Sequence, residues 1–484
     1  MEYQPTIGLE IHIELDTQSK MFCSCKNDPN EKYPNANICP ICLGHPGTLP
    51  VINREAVRKV IKTGIVLNCQ IPEHSKFDRR LYFYPDLPKG YQISQWDMPL
   101  CKEGFLKIDG KKIRIREIHL EEDVGRLIHE KDYSLVDFNR AGIPLMELDT
   151  EPDLRSAKEA RRLAEELQLI VRYLGVSDAD MEKGEMRCDA NISLTKTKKL
   201  GTKVEIKNLN SFKAIERGID YEIVRQTEIL KSGKKVIQET RGWDDVRGAT
   251  VTQREKGEAM FSPEPNLPPL HFANEEIREI WTETPELPQQ RRKRFKKEYR
   301  LSEKEIELYI SQKDLGEYFE KVVSELRDLI KTKKIEEKVK EEGLEKLVKL
   351  ASNYISTDLQ GLLKGTSVIG EDFLITPENF AEFVSMIYTG KISSRIAKTL
   401  LKEMFGTGAD PSQIIEEKGL ELMSDERELE KIVKKIVEGN PKPVEDYKKG
   451  KEAALQFLVG QVMKETKGRA NPEIVQKILK NLLS

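Results

Sequence analysis

Four cysteines crowd the first tenth of the chain. Cys23 and Cys25 form a C-x-C pair and Cys39 and Cys42 a C-x-x-C pair, with 13 residues between them. Thiolates spaced this way fold back into a tetrahedral sulfur cage, the coordination zinc prefers. The intervening KNDPNEKYPNANI is rich in turn formers, as a metal knuckle needs. Four sulfurs close the coordination sphere, so zinc held here is expected to be structural rather than catalytic. Cys69, Cys101 and Cys188 are isolated and read as packing residues.

A second grouping is acidic. In GLEIHIEL, Glu10, His12 and Glu14 alternate with Leu9, Ile11, Ile13 and Leu15. Alternation is the period of a β-strand, with the apolar set on one face and the polar set on the other. Two carboxylates around an imidazole suit a divalent cation, but alternation alone favours an ordinary solvated face. In KKIRIREIHLEED, Ile113, Ile115, Glu117 and His119 share one parity, and Arg114, Arg116, Ile118 and Leu120 the other. If that strand continues, Glu121 and Asp123 join the Glu117 face. In TKVEIKNLNSF, Val204 and Ile206 oppose Glu205 and Lys207. No Walker A loop, dinucleotide fingerprint, kinase loop, nucleophile elbow or metalloprotease motif is present.

These side chains need strands and turns to position them, and the chain supplies both. A clear helix, SAKEARRLAEELQLIVRYLG, lies between strand regions. Ser156 and Glu159 read as a capping box and Gly175 as the stop. Ala160, Leu163, Ala164, Leu167, Ile170, Val171 and Leu174 form its apolar face. The expected architecture is multidomain α+β. Residues 1–292 form a mainly antiparallel sheet domain with helices, 293–408 an all-helical domain, and 409–484 a small all-α tail. The change falls at PEPNLPPL and TPELPQQRRKRFKKEY, where proline punctuates and helical patterns take over. Thr376 and Ser393 or Ser394 are expected helix caps, with a break at Gly390.

At 484 residues the chain is too long for one ordinary core. Its 80 basic and 82 acidic residues nearly cancel, so any nucleic-acid surface must be local. The wealth of Lys and Glu hints at a thermophile. No apolar run is long enough to span a membrane, and the N-terminus lacks a signal peptide, so the expected compartment is the cytoplasm.

Taken together, YPDLPKGYQISQ, DFNRAGIPLMELDTEPDLRS, MRCDANISL, EIKNLNSF, ITPENFAEFVSMIYTGKIS and VGQVMKETKGRANPEIV closely resemble the B subunit of aspartyl/glutamyl-tRNA amidotransferase. The resemblance runs over essentially the whole chain. It implies a ligase that uses ATP and Mg2+ to phosphorylate the side-chain carboxylate of Glu-tRNA(Gln) or Asp-tRNA(Asn). Ammonia from a partner glutaminase then gives the amide. It implies a heterotrimer completed by the A and C subunits, an amidase and a small chain respectively. A nondiscriminating aminoacyl-tRNA synthetase is a further implied partner. The resemblance places magnesium and phosphates at Glu10, His12, Glu121 and Glu147. Lys89, Arg140, Arg187, Asp189, Glu205 and Lys207 become candidates for ATP or substrate binding. The tail becomes a YqeY-like tRNA-binding domain in which Lys464, Lys467 and Arg469 contact phosphates. QQRRKRFKKEYR is either a further RNA contact or a solvated first turn. One stretch departs from the family: Glu258 to Ser262 stand where it usually reads Asp-Tyr-Arg-Tyr-Phe. The rival class is a noncatalytic zinc-containing tRNA scaffold. The acidic clusters speak against it, because carboxylates facing RNA phosphates repel.

Overall fold

The computed structural model describes residues 2–197, 199–253, 260–332, 341–370, 372–420, 426–466 and 468–483. The chain divides into two compact units, Met1–Pro288 and Gln289–Ser484.

The first unit is built on an eight-stranded sheet. Its strands in chain order are β1 Gln4–Glu14, β2 Cys101–Ile108, β3 Lys111–Glu122, β4 Pro144–Thr150, β5 Met186–Thr195, β6 Val204–Lys207, β7 Glu239–Asp244 and β8 Ala249–Thr252. Their spatial order is β8-β7-β6-β5-β1-β4-β3-β2. All neighbours are antiparallel except β6 and β7, which run parallel. The helix Phe212–Lys231 provides the crossover that a parallel pair requires.

Alternation explains the two faces. Leu9, Ile11 and Ile13 of β1 are buried, as are Met146, Leu148, Cys188 and Ala190 on its neighbours. The helices Arg54–Val66, Ala157–Tyr173 and Phe212–Lys231 cover this apolar face. The opposite face carries the polar residues, the usual division of an antiparallel sheet.

Strand β3 departs from simple parity. Its pairing with β4 shifts register between Ile115 and Glu117, which leaves Arg116 as the extra residue of a β-bulge. Before the bulge Ile113 and Ile115 face the core; after it Ile118 and Leu120 do. Glu117 and His119 therefore do not share a face with Ile113 and Ile115, as unbroken alternation predicts. The bulge turns them to the polar side.

The helix Ala157–Tyr173 has the expected apolar face, and Gly175 ends it at φ +64°. Its cap differs from a reciprocal box. The Ser156 hydroxyl accepts from Glu159 N at 3.2 Å, but the Glu159 carboxylate accepts from Arg155 N and Lys111 Nζ instead of Ser156 N. Ser156→Ala should cost about 1 kcal/mol in urea unfolding, the ordinary worth of one cap. A loss under about 0.3 kcal/mol would mean that neighbouring groups replace the hydroxyl.

The second unit is helical. Its basic opening is a helix in which only the arginines Arg291, Arg292 and Arg294 are drawn inward, while Lys293, Lys296, Lys297 and, just past its end, Arg300 stay exposed. In the helix Pro288–Glu298, Arg291 is buried, and Arg291 and Arg294 both pair with Glu320. Arg292 pairs with Glu307 at 2.8 Å. Thr376 and Ser393 cap the helices Pro377–Tyr388 and Ser394–Thr407. Leu429, Val433, Leu458, Val462, Val475 and Leu479 form a separate small core at the end of the chain.

Candidate active site

Register fixes which polar side chains meet. His12 of β1 lies opposite Arg187 of β5 on one side and Glu147 of β4 on the other, and Glu147 lies opposite His119 of β3. One step along, Glu10 lies between Asp189 and Asp149. Directly opposite residues point to the same face, so two polar rows cross four strands. His12 Nε2 is 3.6 Å from Glu147, 3.7 Å from Glu121 and 3.8 Å from Glu10. Glu10, His12, Arg187 and Asp189 of these rows, with Glu121, line a cavity of about 710 Å3, which Arg80, Tyr82, Glu205 and Lys207 also line; Glu147 lies behind His12 and is not part of the lining.

Crowding splits the acids. Burial, then the Glu147 charge, pushes Glu121 up to about 8 and Glu10 up to about 7. Burial also acts against ionised Glu147, but the hydrogen bond and charge of His12 overcome it and hold that carboxyl down at about 2. Burial alone would lower His12; the surrounding carboxylates raise it to about 9. One carboxylate thus stays ionised while its neighbours retain protons, the expected outcome for like charges in one dry site. A divalent cation bound among these groups would displace the retained protons. Glu10, His12 and Glu147 each offer a ligand atom, all within 4.8 Å of one another.

Cations surround the acids. Lys207 Nζ lies 3.0 Å from both Asp189 and Glu205, and those charges hold it above the usual lysine range despite burial. Arg187 donates to Asp123 at 2.9 Å, and Arg140 bridges Asp123 at 2.6 Å and Glu14 at 2.5 Å. Against the cost of burial, the two guanidinium groups keep Asp123 below the usual carboxylate range. Glu14 is buried, its carboxylate taken by Arg140.

The structure does not bring every expected residue to the cavity wall. Lys89 pairs with Glu122, whose carboxylate also accepts from Ile93 N at 2.9 Å. This places Lys89 behind Glu121, beside Cys42 and Gly44 in a neighbouring cavity. Arg140 is likewise one layer back. Arg80, Tyr82, Thr240 and Gln253 line the main cavity and were not singled out from the sequence. Arg80 and Tyr82 do lie at the edge of the stretch YFYPDLPKGYQISQ. The strand Asp78–Leu81 is too short for alternation to mark Arg80. The buried Nε of Arg80 has no hydrogen-bond partner among the described residues. Glu258 and Ala259 of the departing stretch lie outside the described residues; Met260–Ser262 pair with Arg79–Leu81.

Ligand atoms of Cys23, Cys25, Cys39 and Cys42 all lie within 4.8 Å of one another. The Cys39 and Cys42 sulfurs are 3.8 Å apart, close to the ~3.8 Å edge of a tetrahedron with ~2.3 Å metal–sulfur bonds. The hydrogen bond from Cys23 lowers the Cys42 thiol to about 5. The loop between the pairs is clamped to the turn ahead of Arg140. Asn35 N donates to Asp137, Phe138 N to Asn35 Oδ1, and Asn37 N to Asn139 Oδ1, at 2.8–3.0 Å. In the tail, Lys464 is exposed and Arg469 half-buried. Lys467 lies outside the described residues.

The fold and the acidic cavity define a catalytic domain of one known kind: residues 5–278 match the GatB/GatE catalytic domain, and residues 333–483 match the GatB domain. Curated relatives agree over full length. The chain is 48% identical to the aspartyl/glutamyl-tRNA(Asn/Gln) amidotransferase B subunit of Thermotoga petrophila, over 100% of this chain and 99% of the relative. It is 47% identical to the protein of that name from Persephonella marina, over 100% of both. The identity to that from Carboxydothermus hydrogenoformans is 45%, over 100% and 99%. The chain belongs to the family of aspartyl/glutamyl-tRNA(Asn/Gln) amidotransferase B subunits. No described helix is long and apolar enough to cross a membrane.

Proposed function

We propose that the chain activates the side-chain carboxylate of Glu-tRNA(Gln), Asp-tRNA(Asn) or both with ATP, and then converts it to the amide. Ammonia cannot displace oxide from a carboxylate directly. The carboxylate oxygen therefore attacks the γ-phosphorus of ATP and ADP leaves. Ammonia attacks the resulting acyl phosphate at carbon, inorganic phosphate departs with the former carboxylate oxygen, and the nitrogen loses a proton.

The observation that carries this reading is the convergence of Glu10, His12 and Glu121 on one cavity ringed by Arg80, Arg187 and Lys207, with Glu147 against His12 just behind the lining. The oxygen-rich donor set and the protons it retains for a cation to displace fit Mg2+. Bound there, magnesium supplies neutralisation of phosphate oxygens. Arg187 and Lys207, held by Asp123, Asp189 and Glu205, orient the phosphates or the substrate carboxylate, and Arg80 has a buried Nε still to satisfy. Lys89 and Arg140 act from behind, by fixing Glu122 and Asp123. Zinc on the four cysteines fixes the knuckle, and Lys464, Lys467 and Arg469 of the tail contact tRNA phosphates. The working assembly is a cytoplasmic heterotrimer with the amidase and small chains, the A and C subunits, served by a nondiscriminating synthetase.

Ammonium chloride supplied to the assembled heterotrimer with its amidase inactivated tests the division of labour. With ATP and charged tRNA, amide should form at a rate that rises with ammonium concentration. No amide from either ammonium or glutamine would overturn the proposed function.

A further inference from the structure

Two of the six histidines meet at a place the proposed activity does not use. His74 lies on the strand His74–Ser75 and His271 on Leu270–His271, and antiparallel pairing sets them directly opposite each other. Alternation turns both outward. Ser75 is fully buried, and its hydroxyl donates to Met98 O at 2.7 Å. Phe272, the residue after His271, is buried in the core. Both imidazoles are left 57% exposed, with ring centroids 5.0 Å apart. Glu73 completes the group. Its Oε1 lies 3.2 Å from His271 Nε2 and 3.8 Å from His74 Nε2. Its backbone carbonyl accepts from Phe272 N at 3.0 Å, which fixes it to the same ladder.

Each of the three residues thus presents one ligand atom, all within 4.8 Å of one another, with open access from solvent. Two imidazoles and one carboxylate are a donor set for divalent transition metals rather than for magnesium or calcium. The geometry points to a surface site for one Zn2+, or for Ni2+ or Cu2+ at the same ligands, formed by Glu73, His74 and His271 and separate from the cysteine knuckle and the acidic cavity. Three protein ligands leave a position for water. The ion joins two segments that run side by side for longer than this ribbon. Asp78–Leu81, which carries Arg80, pairs with Met260–Pro263 just beyond it. Bound metal therefore clamps the far end of the ladder that positions Arg80.

The test is a Zn2+ titration of the full-length, tag-free, metal-stripped chain in excess magnesium, read by competition with a chromophoric chelator. The variant His74→Gln, His271→Gln should bind one equivalent fewer than wild type. Cys39→Ser, Cys42→Ser should lose a different equivalent and keep this one. Glu73→Gln should weaken this site by at least ~10-fold. Zinc added after the cysteine site is filled should raise the melting temperature of wild type but not of the histidine variant. Equal stoichiometry in wild type and the histidine variant would overturn the site, as would equal melting shifts. Both substitutions lie on exposed positions, so the comparison does not depend on a damaged fold.

Discussion

Glu147→Gln should slow tRNA-dependent ATP cleavage by the assembled enzyme roughly 10²–10³-fold, the usual cost of removing one preorganised charge from a reacting phosphate's surroundings. Glu147 is the hub of the acidic cluster, behind the cavity lining and against His12. It is the carboxyl held at about 2 while Glu121 and Glu10 rise to about 8 and 7, in both cases partly through its charge. Carboxyls pushed apart in this way have different tasks, one a fixed anion and the others proton holders until a cation arrives. The amide keeps the shape of the side chain and deletes that anion, leaving His12 without its nearest partner. Phosphate release with Glu-tRNA(Gln) or Asp-tRNA(Asn) measures the effect. A rate within about threefold of wild type would remove Glu147 from the reaction.

Cys39→Ser with Cys42→Ser should abolish one equivalent of tightly bound zinc and destabilise the first unit by several kcal/mol. Whole zinc fingers draw ~10–16 kcal/mol from their metal, which sets the upper bound. The loss should not stay local. The loop between the cysteine pairs holds Asp137, Phe138 and Asn139 through Asn35 and Asn37, and Arg140 follows directly. Lys20, fully buried behind the knuckle, donates to Ala141 O at 2.7 Å and supports the same turn. Limited proteolysis should then cut between residues 26 and 38, and the melting temperature should fall. Undiminished zinc in the variant would refute the metal assignment.

The sequence carried the site unevenly, for physical reasons. The β1 rows were legible because strict alternation survives along an unbroken strand, and Leu9, Ile11 and Ile13 are buried as that pattern requires. Parity in Lys111–Glu122 was not a safe guide, because the extra residue at Arg116 flips every later side chain. Ser156 was readable as a cap, but the direction of the Glu159 carboxylate depends on Lys111, a distant residue that local pattern does not contain. Arg80, Thr240 and Gln253 reach the cavity through register between segments far apart in sequence. The charges of Lys89 and Arg140 looked available, yet each is taken by a buried carboxylate. The basic run after Pro288 shows the same thing: a row of arginines drawn to Glu320 and Glu307 rather than left in water.

The central claim is that the polar face of GLEIHIEL does chemistry and is not merely solvated. Glu10→Gln tests it by pairing a rate with a melting temperature. Burial, then the Glu147 charge, pushes the Glu10 carboxyl in the fold from its ordinary 4.5 up to about 7. The fold thus favours the protonated form, and stability falls as pH rises from the first value through the second. Glutamine mimics the protonated form. In a chelator, the variant should therefore melt several °C above wild type at pH 8, and with it at pH 4. Its tRNA-dependent ATP cleavage with magnesium should fall at least about 100-fold. A variant that keeps wild-type activity, or loses stability at pH 8 in step with its rate, would contradict the account.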